Sequence, residues 1–474
     1  FSIDLCVNIR DAVFSINILR VPSASASTFY IGALRCQSRH SIPMNRSQLS
    51  MALPLPSQAL NVNPKRSNIN QPVYVKLINR IGEKIRTAGY NKPDLNADLL
   101  IKQAKKKTGL QDFGDTSFRD GLDILTAELN DQAQLSQIGQ IAAYFNLLDH
   151  LCVRLRLIDF RDRRPQVTRQ IIKRPLFITG LPRTGTTILY ELIAQDPSFR
   201  SPASWEVTRP FPPPKKKSYT TDRRIQGVDR MLALAEKLSP GFRAIHAIGA
   251  KLPQECVYIL ASHFISEQFG YMYNIPKYRS WALTQDMTAS YQWHAHFLQH
   301  LQVDFGVGHW VLKAPAHLAY LKYLVAQYPD ALIVWAHRRP LEAISSFSSL
   351  VCKLQSGFSN AINPLAIGEH EARHFSDIAN TGMSDRGALD QRQVFDVRFS
   401  ALCSDPVSVI GSLYEHFGMP LSGEAENRMR QYLTQNPRHL YGRHTYSPEN
   451  FGLDEIRERE LYSEYLSCFD DYLY

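Results

Sequence analysis

A short glycine-bounded loop, Gly180-Leu-Pro-Arg-Thr-Gly185-Thr-Thr, combines residue types that suit the binding of an anion. Its glycines have the spacing of the nucleotide-triphosphate loop G-x-x-x-x-G-K-[ST], but Thr186 stands where that loop carries its lysine. Backbone N–H groups and the positive end of a following helix still favour an anion, and Thr187 still offers a hydroxyl. The cation comes earlier, at Arg183, so the loop poorly provides for a magnesium-bound triphosphate.

A second candidate anion site lies in residues 337–350, HRRPLEAISSFSSL. Pro340 suits the first turn of a helix, so Arg338 would lie where a strand ends and a helix begins. Ligands of open α/β sheets bind at the carboxyl ends of the strands, and Ser346 in the following helix could offer a hydroxyl to the same anion. The alternative is a surface ion pair between one of the two arginines and Glu342.

These segments need strands and helices to position them, and the apolar pattern predicts both. Continuous apolar runs predict short strands at 176–179, 310–313, 331–337 and 394–398, with mostly helical segments between them. Such strands are typical of a parallel sheet that is covered on both faces. We therefore predict an α/β protein with a three-layer P-loop-type fold, a central parallel sheet flanked by helices and preceded by a helical N-terminal region.

The chain divides into three stretches of different pattern. Residues 1–50 lack clear periodicity, and acidic residues interrupt the apolar stretches that a secretory signal needs. One hypothesis is that the natural chain starts at Met51. Apolar residues at spacings of three and four predict a helical N-terminal region over 51–170. Residues 171–474 are predicted to form the α/β domain, with helical insertions.

Size and composition indicate a globular protein. The chain has 474 residues, of which 44% are hydrophobic, so it can bury a substantial core. No apolar run approaches the roughly 18 residues that a transmembrane helix needs. The net charge of +10 is diffuse, and we predict no nucleic-acid partner. Seven scattered cysteines without a C-x-x-C pair argue against a disulfide framework and a zinc site, and they fit a reducing cytoplasm.

With both candidate anion sites in view, the chain resembles the PAPS-dependent sulfotransferases, particularly the bacterial-type branch whose loop reads P-R-T-G-T-T. The likeness covers about residues 95–474 and includes the stretches DPSFRSPASWE, PQEC, WVLKAPAHL, YPDALIVWAHRRPLEAISS and GRHTYSPENFGL. That family uses 3'-phosphoadenosine 5'-phosphosulfate (PAPS) and releases 3',5'-ADP. Because the charge of PAPS is divided between a 5'-phosphosulfate and a 3'-phosphate, the resemblance implies two anion sites and no metal.

The resemblance also implies which residues contact PAPS. It places the 5'-phosphosulfate on five consecutive loop residues, Arg183, Thr184, Gly185, Thr186 and Thr187. The 3'-phosphate falls on Arg338 and Ser346. Arg443, in a late basic segment that contains a glycine, is implied as a further nucleotide contact.

Sulfuryl transfer needs an aligned acceptor oxygen, a base that takes its proton, and cations near the departing oxygen. The resemblance implies Arg183 and Lys313 as these cations. It favours Glu206, which lies 23 residues beyond Arg183, as the base. The alternatives for the base are Glu255, His246, His263 and His317.

The acceptor is implied to be a small molecule with a hydroxyl group. Aromatic residues crowd 258–293, which would suit an apolar or aromatic alcohol, although aromatics at helical spacing usually form core. A P-loop kinase or NTPase, and a non-catalytic nucleotide-binding protein, stay open as alternative functions. Many members of the family pair, so a homodimer also stays open.

Overall fold

The central element of the fold is a sheet of five parallel strands. The computed structural model describes residues 93–238, 247–306, 308–437 and 446–473. The strands are β1 Leu176–Gly180, β2 Phe199–Arg200, β3 His309–Lys313, β4 Leu332–His337 and β5 Val394–Arg398. They lie in the order β2-β3-β1-β4-β5, and every neighbouring pair is parallel. The predicted parallel sheet is confirmed. The two-residue β2 was not predicted, because it is too short to give a periodic signal.

Helices account for most of the remaining secondary structure among the described residues. In chain order they are α1 Ala97–Thr108, α2 Phe118–Asp131, α3 Gln137–Arg163, α4 Thr186–Ile193, α5 Ser204–Thr208, α6 Arg223–Leu238, α7 Cys256–Ala261, α8 Glu267–Met272, α9 Pro276–Leu283, α10 Thr288–Gln302, α11 Leu321–Gln327, α12 Pro340–Ser356, α13 Pro364–Arg386, α14 Phe399–Ser404, α15 Pro406–His416, α16 Gly423–Gln435, α17 Glu455–Cys468 and α18 Asp470–Leu473. Short 3-10 turns occur at Lys216–Thr221, Pro315–Tyr320, Gln391–Gln393 and Pro448–Phe451. No helix in the described part of the chain is long and apolar enough to span a bilayer.

Strand side chains alternate between two apolar layers, as the period of two requires. Phe177 and Trp335 belong to the layer that also contains α7, α10, α11, α12 and α13. Ile178 and Val334 belong to the opposite layer, with α4, α15 and α16. Helices thus cover both faces of the sheet, which confirms the three-layer α/β fold.

Helices α1, α2 and α3 form a separate apolar cluster with α7, α8 and α9. Helix α1 is capped by Asn96, whose side chain accepts a hydrogen bond from the N–H of Leu99 at 3.1 Å. Buried aromatics of the 258–293 segment, including Phe264 and Tyr278, complete this cluster. These aromatics therefore serve the core. The described residues 93–163 are helical where a helical region was predicted, and the limits at 50 and 170 stay predictions.

The strand order places the candidate residues at one edge of the sheet. The chain leaves β1 toward β2 and β3 on one side, whereas β4 and β5 lie on the other. Such a reversal opens a crevice at the carboxyl ends of the strands. Because β3, β1 and β4 are adjacent, this edge holds Lys313, the loop after Gly180, and Arg338.

Candidate functional site

The loop between β1 and α4 requires glycine at both ends. Gly180 has φ +133°, and a Cβ there would lie 2.3 Å from the carbonyl oxygen of Ala336 in β4. Gly185 has φ +87°, and a Cβ there would lie 2.9 Å from Leu402 Cδ1. A larger residue at either position would combine a left-handed backbone with a steric clash. The glycine spacing therefore fixes a tight turn that delivers the chain to the start of α4.

The start of α4 offers backbone N–H groups to a ligand. The first N–H groups of a helix have no partner within it and carry partial positive charge. Gly185 precedes the helix and provides no side-chain cap for these groups. Thr184 is buried, and its hydroxyl donates to the carbonyl of Leu181 at 2.8 Å. The hydroxyl of Thr184 thus closes the loop, and the helix terminus remains suited to an anion.

Arg183 connects this loop to α12. Its φ of +66° is unusual for a residue with a side chain. Its Nε donates to the hydroxyl of Ser346 in α12 at 3.2 Å. Burial lowers the pKa of Arg183, but an arginine stays charged in proteins. Arg183, a predicted contact of the 5'-phosphosulfate, therefore lies next to Ser346, a predicted contact of the 3'-phosphate.

Arg338 lies beside the same loop, just beyond the end of β4. Its Nη1 donates to the carbonyl oxygen of Arg183 at 3.0 Å, and its Nε donates to Glu342 at 3.0 Å. The guanidinium also lies 4.3 Å from the ring centroid of Phe399 in α14. Sequence analysis treated an ion pair with Glu342 and a position at the strand end as alternatives for Arg338. In the structure Arg338 has both.

Lys313 lies at the end of β3, near Thr186, the loop position at which a nucleotide-triphosphate loop carries its lysine. The alternation of β3 places Lys313 on the same face as Val311, toward α4. Its Nζ lies 3.4 Å from the hydroxyl of Thr187 in the first turn of α4, and it forms an ion pair with Glu255. A cation from the neighbouring strand thus lies beside the first turn of α4.

Glu255 is the candidate base that contacts a predicted catalytic cation. It precedes α7 and is paired with Lys313, while its side chain keeps 17% exposure. The N–H of Glu255 donates to the side-chain oxygen of Gln254 at 2.9 Å, which fixes the backbone here. A partly exposed carboxylate therefore lies beside the cation at the carboxyl edge of the sheet.

Glu206 lies in a different environment. It is completely buried and forms an ion pair with Arg200 from β2. Its Oε2 accepts the N–H of Ala203 at the start of α5 and the hydroxyl of Tyr219, each at 2.8 Å. The hydrogen bonds of Glu206 go to these three residues, whereas those of Lys313 go to Glu255 and Thr187. The geometry gives Glu206 a role in holding β2 and α5 together.

The two histidines within the described residues that were candidates for the base are also buried. His263 is bonded to Ser117 and Ser290 at 3.0 Å each, and burial lowers its pKa. The Nδ1 of His317 lies 2.8 Å from the hydroxyl of Tyr291, and burial lowers its pKa well below the usual value. The two remaining sequence candidates, His246 and Arg443, lie outside the described residues.

Comparison with known proteins identifies the family to which this chain belongs. A family model described as "Sulfotransferase family" matches residues 175–423, a span that contains all five strands. The chain belongs to this family. Within this sulfotransferase the matched span includes the loop, Lys313 and Arg338.

Two sulfotransferases of known structure resemble this one. Sulfotransferase STF1 from Mycobacterium tuberculosis H37Rv is 29% identical with a TM-score of 0.70, and the match covers 79% of this chain and 100% of that chain. Sulfotransferase STF9 from Mycobacterium avium is 27% identical with a TM-score of 0.72, and the match covers 81% and 98%. By sequence, the chain is similar to omega-hydroxy-beta-dihydromenaquinone-9 sulfotransferase Stf3 from Mycobacterium bovis, with 24% identity over 283 residues, 55% of this chain and 67% of that protein.

Helix α17 holds the start of α12 in this sulfotransferase. Glu458 of α17 accepts the N–H of Leu341 at 2.6 Å and a hydrogen bond from Nη2 of Arg339 at 2.9 Å. A carboxylate at the first turn of a helix stabilises it through the helix dipole. Glu458 lies 117 residues from Leu341 in the chain. Sequence analysis missed it because no local pattern connects the two segments.

A substitution at Glu206 distinguishes a structural role from a catalytic one. Glu206→Gln should lower the free energy of unfolding of the sulfotransferase by about 3–5 kcal/mol, because Arg200 would keep its buried charge without a full counter-charge. Urea unfolding followed by circular dichroism measures this change. Glu424→Gln, at an exposed ion pair with Arg428, is the matched control and should change stability by less than about 1 kcal/mol. Unchanged stability together with slowed turnover would return Glu206 to the role of base.

Proposed function

We propose that this sulfotransferase transfers a sulfuryl group from PAPS to a hydroxyl group of a small molecule. The observation that carries the proposal is the set of cations along the carboxyl edge of β3, β1 and β4. Arg338 donates to the backbone of Arg183 at 3.0 Å, and Lys313 lies 3.4 Å from the hydroxyl of Thr187. A nucleotide with negative charge at both ends is complementary to such a row of cations.

The residues present fit the two charged ends of PAPS. The start of α4, with Arg183 and the hydroxyl of Thr187, suits the 5'-phosphosulfate. Arg338 and Ser346 suit the 3'-phosphate, because one carries a guanidinium and the other a hydroxyl at the same edge. Among the described residues, no group of three or more His, Cys, Asp or Glu side chains could hold a metal ion. In this proposal the balancing charge comes from the protein's own cations, Arg183, Arg338 and Lys313.

The reaction we propose exchanges one S–O bond for another. PAPS supplies the sulfuryl group. The acceptor oxygen forms a bond to sulfur while the bond from sulfur to the phosphate oxygen breaks, and 3',5'-ADP keeps the electron pair. Arg183 and Lys313 stabilise the negative charge that develops on the departing oxygen. Both cations are held in place before the reaction, which lowers the cost of reorganising them.

The acceptor's proton goes to a carboxylate. The resemblance implies Glu206, whereas the geometry supports Glu255, because Glu206 is already bonded to Arg200, Ala203 and Tyr219. Glu255 contacts Lys313 and is partly exposed, so an acceptor hydroxyl could reach it.

The nature of the acceptor follows from the same chemistry. A hydroxyl is the simplest nucleophile that a carboxylate base can activate by removing a proton. The name of the Mycobacterium bovis relative describes a hydroxylated acceptor for that protein. We propose a hydroxylated small molecule as the acceptor of this chain.

A transfer assay tests the proposed function. The purified chain is incubated with PAPS labelled at sulfur and with phenols, steroids, hydroxylated lipids and sugars, and in parallel with ATP and magnesium. We expect label to move to at least one hydroxylated compound, and no turnover of ATP. Turnover of ATP without use of PAPS would indicate a P-loop kinase or NTPase. Binding of PAPS without transfer to any hydroxyl compound would indicate a non-catalytic nucleotide-binding protein.

A further inference from the structure

The parallel register of β4 and β5 brings an aromatic ring to Arg338. His337 of β4 is paired with Arg398 of β5, and each is the last residue of its strand. Arg338 and Phe399 follow these two residues in the chain, so they leave the same edge of the sheet side by side. Phe399 begins α14 and is half-buried. The strand pairing therefore determines that these two residues are neighbours.

The ring of Phe399 lies against the guanidinium of Arg338. Cζ of Arg338 is over the ring, 4.3 Å from its centroid. A guanidinium over an aromatic ring is attracted by the negative charge of the ring face, and its flat shape suits stacking. The side chain of Arg338 is only 18% exposed, so water screens this attraction only in part. The ring thus helps to hold the guanidinium in its position.

A ring on the face of a guanidinium leaves the hydrogen-bond donors available. The N–H groups of arginine point outward in the plane of the group. Nη1 of Arg338 donates to the carbonyl of Arg183 and Nε donates to Glu342, each at 3.0 Å. The Glu342 side chain is 54% exposed, so a phosphate can displace it at low cost. The Phe399 ring does not compete with a phosphate for any donor.

The same ring packs against the loop between β1 and α4. A Cβ at Gly185 would lie 3.2 Å from Cδ2 of Phe399 and 2.9 Å from Cδ1 of Leu402. Phe399 and Leu402 are three residues apart in α14, so they share one face of that helix. Leu402 is 4% exposed and belongs to the apolar layer that contains α4, α15 and α16. The ring is therefore supported by the core on one side and contacts Arg338 on the other.

Arg338 has few other groups that fix its side chain. Its hydrogen bonds go to one backbone carbonyl and to the exposed carboxylate of Glu342. A long side chain loses conformational entropy when it is held in one position. When the folded protein already holds the side chain, less of that entropy is lost on ligand binding, and the ligand binds more tightly. The ring of Phe399 provides this support before a ligand arrives.

We propose that Phe399 sets the preference of the nucleotide site for a 3'-phosphate by holding the guanidinium of Arg338 in place. Phe399 is a positioning residue, since it acts through Arg338. The inference rests on the proposed function, in which Arg338 and Ser346 bind the 3'-phosphate of PAPS. A nucleotide without that phosphate gains nothing from a fixed Arg338. The effect of the ring therefore appears as selectivity between nucleotides.

Calorimetric titration of the full chain with 3',5'-ADP and with adenosine 5'-monophosphate measures this selectivity. Phe399→Leu removes the ring and keeps an apolar side chain. We expect it to weaken 3',5'-ADP binding by about 5- to 30-fold and adenosine 5'-monophosphate binding by less than about twofold. Phe399→Tyr keeps the ring and should retain wild-type selectivity. The ratio of the two dissociation constants comes from one preparation, so it does not depend on the fraction of folded protein.

Two further variants separate an effect through Arg338 from a general structural effect. When Arg338→Ala is already present, Phe399→Leu should cause no further loss of 3',5'-ADP affinity, because the group on which the ring acts is absent. Phe395→Leu makes the same substitution within β5. Phe395 is half-buried, and its ring centroid lies 5.3 Å from that of His416 in α15. This matched control should leave the selectivity unchanged.

Each of the contrary outcomes has a distinct meaning. Wild-type selectivity in Phe399→Leu would overturn the inference and leave the proposed function intact. Equal losses for the two nucleotides, or a further loss when Phe399→Leu is added to Arg338→Ala, would show that the ring does not act through Arg338. Wild-type protein that binds the two nucleotides equally would overturn the proposed 3'-phosphate contact and the inference with it.

Discussion

Lys313→Ala is expected to slow sulfuryl transfer by about 100- to 1,000-fold, the loss typical when one preorganised charge-stabilising group is removed. Lys313 is 3% exposed and lies between Glu255 and the first turn of α4. An exposed lysine would have to lose its hydration shell before its ammonium group could occupy the position of the buried Lys313 ammonium. The expected loss is in kcat, because the charge that Lys313 stabilises develops mainly as the S–O bond breaks.

Single-turnover transfer of labelled sulfate to the acceptor found in the panel measures this effect. The dissociation constant of 3',5'-ADP should change much less, because the reaction product lacks the sulfuryl group. Lys322→Ala removes an exposed lysine from α11 and serves as the matched control with the same loss of charge. Wild-type turnover in a correctly folded Lys313→Ala protein would exclude Lys313 from catalysis.

Arg338→Ala is expected to weaken 3',5'-ADP binding by about 10- to 150-fold, because charge-assisted hydrogen bonds worth roughly 1.5–3 kcal/mol are lost. Its ion pair with Glu342 does not compete strongly with a phosphate, since the Glu342 side chain is 54% exposed. Calorimetry with 3',5'-ADP measures the change. Arg392→Ala, at a 90% exposed arginine, removes the same charge from a remote surface and should have almost no effect.

A second nucleotide separates two ways in which Arg338 could act. Arg338 also donates to the carbonyl of Arg183, so the substitution could loosen the loop. Adenosine 5'-monophosphate lacks the 3'-phosphate and should bind equally to wild type and Arg338→Ala. Equal losses for both nucleotides would show that Arg338 supports the loop and that the 3'-phosphate lies elsewhere.

The sequence predicted those features that depend on short-range pattern. Apolar runs predicted β1, β3, β4 and β5, and glycine spacing predicted the turn before α4, because both signals lie within a few residues. The resemblance then implied the family, which the family model confirms. Its assignments of individual PAPS contacts stay predictions.

Features that depend on distant segments were not predictable. The partner of Lys313 is Glu255, 58 residues earlier in the chain, and the ring beneath Arg338 comes from Phe399 after β5. Glu206 illustrates a second limit of sequence analysis, which located the residue but not its partners. The resemblance implied Glu206 as the base, a role that stays a prediction, and the fold adds Arg200 and Tyr219 as partners of its oxygens. Pattern locates a carboxylate along the chain, but its partners decide what it can do.

The contact of Glu458 with the start of α12 makes the position of Arg339 depend on a helix that follows the five described strands in the chain. All five strands precede residue 399, so the sheet can assemble before α17 exists. Until Glu458 arrives, Arg339 and the N–H of Leu341 lack the carboxylate that fixes them beside Arg338. A nascent chain with a complete sheet would therefore still lack the carboxylate that holds the start of α12, until α17 docks.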